Sequence, residues 1–402
     1  MKKITVILVL WFYCGCSGCS DRSVPSSVKI QNELNLITDS AVTVKILSCI
    51  RKNFEVSKLI DSVRYIALEN TDEALIGIVR QIKVTKNFIY VLDLNNDDLK
   101  CFDKCGKFIR NVYTHGGGPE EIGRFHDFDI DENYVYILDG AKIAIQVFDH
   151  DGNYIEKRSL PFRAQKLKCL ADEGYLFELS PFGITGDNSD LTVLTDMQFQ
   201  PVKYLLQYIE DTFTGIDFEN STQSVYLYAT YGNSIFERRG NQIFMKYYLD
   251  FGGKYFNSRK DYDGFQQAVE QEIYFTSTAP VHNNGYLMQS YYAGLQREGS
   301  LLISLADNKA IFIKNLIQDR NDVINFTFAR TRGYDPVNNE FFGTCGVIDL
   351  ANITSDDRDT VISELKKFIP ENVQPYLLQN DMEKNTNYIL MFYKLKTDID
   401  ME

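Results

Sequence analysis

The chain has 402 residues, with 42 Lys and Arg against 55 Asp and Glu and a formal net charge of −13. Hydrophobic residues at 44% and charged residues at 24% make a globular composition and exclude a disordered or fibrous chain. The acidity argues against a nucleic-acid partner, which needs a basic face to displace phosphate counterions, and the 25 Tyr and 27 Phe beside only nine Pro favour strands over helices.

Lys2 and Lys3 precede an apolar run from Ile4 to Tyr13. That run is too short to span a bilayer, which takes about 20 residues, and suits the core of a signal peptide. Cys14-Gly15-Cys16-Ser17-Gly18-Cys19-Ser20 follows. It resembles a bacterial lipoprotein signal, in which small residues precede the cysteine that becomes lipidated. The resemblance implies a removed segment 1–18 and Cys19 as the lipid anchor, with Cys16 the weaker candidate. Residues 19–43, with Pro25 and no sustained apolar period, read as a flexible tether. The other cysteines, Cys49, Cys101, Cys105, Cys169 and Cys345, are an odd, scattered set and a poor disulfide framework. Buried free thiols are expected, and pairing of Cys101 with Cys105 across a turn stays open.

A repeat of 46 residues comes next. Asn87-Phe88-Ile89-Tyr90-Val91-Leu92-Asp93 returns as Asn133-Tyr134-Val135-Tyr136-Ile137-Leu138-Asp139. Phe102-Asp103 maps onto Phe148-Asp149, Gly106 onto Gly152, and Ile109 onto Ile155. Each copy reads as four short strands, in the first copy Gln81–Val84, Phe88–Leu92, Leu99–Phe102 and Lys107–Val112, separated by polar turns. Gly106 and Gly152 are expected at positive φ, ending short hairpin loops. Four-stranded units repeated radially are the blades of a β-propeller. Residues 44–398 therefore read as one all-β propeller domain.

The run His115-Gly116-Gly117-Gly118-Pro119-Glu120-Glu121-Ile122-Gly123-Arg124-Phe125, followed by Val135–Asp139 and Gln146–Gly152, resembles an NHL-type propeller repeat. Ser62–Asn70 and Tyr388–Lys396 resemble the two ends of the six-bladed β-propeller lipoproteins common in Bacteroidales. The resemblance implies six blades; the 46-residue spacing alone gives between seven and eight, or six with insertions in the later segments. Pairing of an N-terminal strand with the final Asn387–Lys396 strand is expected to close the ring. Later strands read as Tyr226–Tyr231, Ile243–Phe251, Gly285–Tyr292, Leu301–Leu305 and Ile324–Ala329. Two short helical insertions are predicted, at Asp263–Ile273 and Ser355–Ile369, the second capped by Ser355 and stopped by Pro370.

No standard catalytic, phosphate-loop or zinc signature occurs, so no catalytic residue, metal ligand or cofactor is assigned. Asp149–Asn153 and Asp127-Phe128-Asp129-Ile130-Asp131 alternate acids in a way that suggests calcium. The first occupies a hairpin turn and the second reads as a solvated strand face. The Gly116–Arg124 loop has two readings: an inter-blade clamp through Glu120 and Arg124, or a wall at the mouth of the central channel. Arg80 and His126 are 46 residues apart, just before equivalent inner strands, and are expected to face one rim. The candidate ligand residues are thus Arg80, His115, Glu120, Arg124 and His126. The function expected is a binding or scaffold module lipid-anchored in the cell envelope, at the outer membrane, with a glycan, peptide or envelope-protein partner. The alternative is a hydrolase or lyase with its site in the channel, for which the fold offers analogy only.

Overall fold

Strand Phe88–Asp93 explains why the repeats carry near-continuous apolar runs. Ile89, Tyr90 and Val91 are all fully buried, on both faces of the sheet. Ile89 and Val91 pack with Ile66, Phe342 and Phe392 on one side. Tyr90 and Leu92 pack with Phe128, Val135 and Ile137 on the other. Each strand of this kind feeds two cores, so the hydrophobic interior lies between blades.

The computed structural model describes residues 36–37, 41–179, 190–207, 216–218, 225–229, 233–254, 274–275, 280–283, 285–293, 296–320, 331–345 and 387–401. They form six sheets, the blades of a six-bladed β-propeller. Blade 1 is Val79–Val84, Phe88–Asp93, Asp98–Asp103 and Phe108–Asn111. Blade 2 is Phe125–Ile130, Tyr134–Asp139, Ala144–Asp149 and Tyr154–Ser159. Blade 3 runs from Ala164–Cys169 to Pro201–Gln207, and blade 4 from Ile216–Phe218 to Gln242–Asp250. Blade 5 is built on Tyr286–Ala293, Gln296–Ser304 and Ala310–Ile317, with Tyr274–Phe275 and Val281–His282 on its inner side. Blade 6 has Thr331–Asp335, Glu340–Cys345 and Ile389–Leu395. The first strand of each blade lies at one sheet edge, and those of blades 6 and 1, and of blades 2 and 3, adjoin each other around the central axis.

The amino-terminal segment adds strands to three blades in succession. Val42–Lys45 pairs in parallel with the outer strand of blade 4, and Leu36–Ile37 pairs with the same strand. Ile50–Glu55 adds a parallel outer strand to blade 5. Ile60–Ala67 pairs antiparallel with Ile389–Leu395, Ile389 opposite Ala67 and Tyr393 opposite Val63. This last pairing is the ring closure that the two chain ends led us to expect. The predicted tether boundary at residue 43 is corrected, because Leu36–Ile37 and Val42 are already in strands.

Gly106 and Gly152 have φ of +86° and +80°, as expected. Gly106 also has no room for a side chain, since a Cβ there would lie 2.1 Å from the Ala67 carbonyl of the closing strand. Blade 3 uses the same turn with Phe199 at φ +60°, its ring stacked on Tyr175 at 4.2 Å. Cys49, Cys101, Cys105 and Cys169 are free, but Cys105 is exposed and so corrects the expectation of buried thiols. The predicted helices 263–273 and 355–369, the strand Ile324–Ala329 and the segment 1–35 lie outside the described residues.

Deleting residues 387–402 removes Ile389, Leu390, Met391, Phe392 and Tyr393, all nearly fully buried. At about 1.5–3 kcal/mol each, the loss rivals the whole stability of a domain, about 5–15 kcal/mol. The truncated chain is expected to lose its cooperative melting transition in calorimetry. A native-like transition would contradict closure by these strands.

Candidate functional site

The inner strands of blades 1, 2, 3 and 6 share one irregularity. In blade 1 the register with the neighbouring strand passes from Val79↔Asp93 to Gln81↔Leu92, leaving Arg80 as the extra residue of a bulge. Blade 2 passes from Phe125↔Asp139 to Asp127↔Leu138 and leaves out His126. Blade 3 leaves out Gln165, and blade 6 leaves out Arg332. A bulge re-aims the inserted side chain and breaks the ladder locally. Arg80 and Arg332 are exposed, and His126 and Gln165 are half-buried. The equivalence of Arg80 and His126 expected from the repeat therefore has a backbone cause, and it extends to two residues that the sequence did not single out.

Arg80 donates from Nη2 to the His126 carbonyl at 3.2 Å. His126 in turn donates from Nδ1 to the Ala164 carbonyl at 3.0 Å. Burial lowers the His126 pKa, the Ala164 contact opposes this, and the charges of Arg124 and Arg80 lower it further, so the imidazole is neutral at pH 7. Its ring lies against Gly140, where a Cβ would sit 2.2 Å from Nε2. His115 donates to the Asp97 carbonyl at 2.7 Å, and the Asp97 carboxyl senses His115, Arg80 and His126. Arg80, His115, Arg124 and His126 thus share one neighbourhood. Glu120 is exposed and does not join them; its charge acts instead on Tyr154 of blade 2's outer strand.

The Gly116–Arg124 loop is clamped, but by other side chains than Glu120. The Gly118 N–H donates to Glu121 Oε2 at 2.6 Å, and Lys142 donates to the carbonyls of Gly118 and Glu121. Gln146 Nε2 reaches the same Glu121 carbonyl. Arg124 takes part through its backbone N–H, which donates to Asp139 at 3.2 Å.

Deeper in the channel wall, the acids 127 and 129 face blade 3. Asp127 accepts the Leu167 N–H at 2.9 Å, and Asp129 accepts the Cys169 N–H at 2.7 Å. Lys83 Nζ lies 2.5 Å from Asp129 Oδ1, and Lys168 Nζ lies 3.6 Å from Oδ2. All three charged groups are buried. The expected solvated strand face is thus corrected to a buried ion-pair network. Burial works to raise the Asp129 pKa, but Lys168 and Lys83 prevail and hold it below the usual range. Asp127 behaves oppositely: burial outweighs Lys83, the Leu167 N–H, Lys166 and Arg80, and its carboxyl is pushed up to about 6. Asp149, the other calcium candidate, is occupied as a turn acceptor for the Asp151 and Asn153 N–H groups.

Two measurements follow from these acids. Asp129→Asn leaves Lys83 and Lys168 buried without a counter-charge and is expected to cost about 3–5 kcal/mol in denaturant unfolding. A loss below 1 kcal/mol would show that the network is not desolvated. Asp127 binds its proton more tightly folded than unfolded, so its contribution to stability falls as pH rises from about 4 to about 6. Asp127→Asn is expected to gain on the parent across that window by on the order of 1–2 kcal/mol, with no difference below pH 4. A pH-independent difference would refute the assignment.

Comparison with solved structures places this fold beside known propellers. One match, a Bacteroides fragilis protein provisionally described as exported, is 17% identical, with a TM-score of 0.62, covering 90% of this chain and 99% of that one. A DUF4221-family member from Bacteroides vulgatus is 10% identical, with a TM-score of 0.49 over 84% and 97% of the two chains. Virginiamycin B lyase from Staphylococcus aureus is 11% identical, with a TM-score of 0.40 over 70% and 81%. At such identities the likeness is one of fold. No curated protein matches the chain. A family profile matches residues 41–394, and the chain belongs to that family, described as Domain of unknown function (DUF4934).

Proposed function

We propose that the protein is exported, lipid-anchored through Cys19 at the outer membrane, and works as a binding module that captures a glycan, peptide or envelope-protein partner at the propeller rim. The observation that carries this reading is the repeated bulge, which presents Arg332, Arg80, His126 and Gln165 from four consecutive blades at equivalent places. Bulges interrupt ladder hydrogen bonding and are retained where a side chain must be re-aimed. Export is supported by the Lys2–Tyr13 segment and by likeness to a structure described as exported. Anchoring is supported by the small residues before Cys19. Among the described residues no helix is long and apolar enough to cross a membrane.

One observation favours the hydrolase or lyase alternative. Asp127, with its raised pKa, has the protonation behaviour of a general acid or base near neutral pH. Its carboxylate already accepts the Leu167 N–H, and Asp129 beside it is neutralised by two lysines. This arrangement suits a wall of the binding site better than a reacting carboxylate pair, and binding is the reading we adopt.

Cys19→Ser is expected to move the protein from the membrane to the soluble fraction, with mass spectrometry of the parent showing acylated Cys19. Release by Cys16→Ser alone would reassign the anchor. For the rim, Arg80→Ala with Arg332→Ala is expected to lower capture from envelope extract while changing stability by less than about 1 kcal/mol, as for exposed positions. Unchanged capture per folded molecule would end the rim reading.

A further inference from the structure

The four bulge residues differ in what they offer a ligand. Arg332 and Arg80 are permanent cations whose planar forks match a carboxylate. His126 and Gln165 supply the other kind of contact. With Nδ1 committed to the Ala164 carbonyl and the ring neutral, His126 keeps a lone pair on Nε2. The Gln165 amide carries both a donor and an acceptor. A phosphate or sulfate cluster would call for donors throughout. Neutral groups with acceptors suit hydroxyls, which both donate and accept.

We infer that the rim formed by Arg332, Arg80, His126 and Gln165 binds an acidic oligosaccharide, the arginines taking a uronate carboxylate and His126 and Gln165 its hydroxyls. This rests on the rim reading above and adds the ligand class. The order around the ring is blade 6, blade 1, blade 2, blade 3, so the cations fall at one end of the arc and the neutral groups at the other. The inner strands of blades 6 and 1 adjoin, which makes Arg332 and Arg80 neighbours by position. A ligand engaging both ends must carry its charge and its hydroxyls at separate places, as a sugar chain does. The setting favours a local anion site as well. The protein as a whole carries −13, yet Arg124 joins Arg80 close enough to His126 to lower its pKa. The acids around this cationic patch are Asp97, Asp98, Asp127 and Asp139. Burial raises the Asp97 pKa, against the charges of His115 and Arg80. Asp127 is raised to about 6 for the same reason.

The test is calorimetric titration of the full-length protein with a short oligogalacturonate, its fully methyl-esterified form, and polyglutamate of equal charge. The acid form is expected to bind, with affinity falling as salt is raised. Esterification is expected to weaken binding at least tenfold, as are Arg80→Ala and Arg332→Ala singly. Gln165→Ala should weaken the acid and ester forms by a similar, smaller factor. Lys52→Ala, exposed on the outer strand of blade 5, is the control that should change nothing. Equal binding of the ester, equal binding of polyglutamate, or no binding of oligogalacturonate would overturn the inference. If envelope capture still depends on Arg80 and Arg332 while oligogalacturonate fails to bind, the ligand class is wrong and the rim reading stands. If capture is also indifferent to them, both fall.

Discussion

The structure depends on a buried aspartate at the end of the second strand of a blade. Asp93 and Asp139 occupy this place in blades 1 and 2, each with no exposed surface. A lone carboxylate so buried would cost several kcal/mol, and the surrounding backbone offsets that cost. Asp139 accepts N–H groups from Gly123, Arg124, Ala141 and Lys142, and the side-chain amide of Gln146. Burial alone would raise its pKa, yet these donors hold it below the usual carboxylate range. Asp93 does the same for Gly77 and Ile78. Gly77 and Ile78, like Gly123 and Arg124, are the last residues before the inner strand of the same blade. The carboxylate therefore fixes where the inner strand begins, and with it the position of the bulge residue two places on, Arg80 or His126.

That constraint explains why the ring needs its amino-terminal strap. Blades 1 to 3 carry four strands each in chain order and share apolar cores, and Asp93 and Asp139 hold the linkers into blades 1 and 2. Blade 6 lacks a local fourth strand, which Ile60–Ala67 supplies, and Ile50–Glu55 extends the outer edge of blade 5. Leu59, Ile60 and Val56 enter the core between those blades, together with Met391 and Tyr393 from the last strand. Closure is thus a packing event as much as a ladder: the strap buries apolar side chains between blades that would otherwise face water.

Legibility in the sequence followed these forces closely. Where a strand is buried on both faces, as at Ile89-Tyr90-Val91, the apolar run and its 46-residue echo were plain. The third copy was not, because Phe199 takes the turn position that glycine fills in the first two, and its aromatic packing hides the signature. The strap on blade 5 was hidden too, since Arg51-Lys52-Asn53 lies on an outer edge where polarity is tolerated. The ion-pair network could have been found. Lys83 and Asp129 are 46 residues apart, the repeat length, so they occupy equivalent places on adjacent inner strands with opposite charge. Reading that echo as a spatial contact, and not only as a shared direction, would have taken Asp129 out of the solvated face. The loop clamp was legible in kind but one residue off: Glu121 aims at the Gly118 N–H, whereas neighbouring Glu120 faces solvent.

Bulges mark the boundary between what folding requires and what it merely permits. The ladder between inner and second strands runs in register below each bulge, from Gln81↔Leu92 to Val84↔Ile89 in blade 1 and from Asp127↔Leu138 to Ile130↔Val135 in blade 2. Folding alone would favour carrying that register to the top of the inner strand. Four blades instead insert one residue there, although the linkers that precede them differ in length and composition. The inserted residues are two arginines, a histidine and a glutamine, none of them an apolar filler. In contrast, the lysines lower in the same strands, Lys83 and Lys168, are spent on a buried carboxylate. The inner wall therefore divides by depth into charges that cancel each other within the protein and polar side chains set at the rim by the bulges.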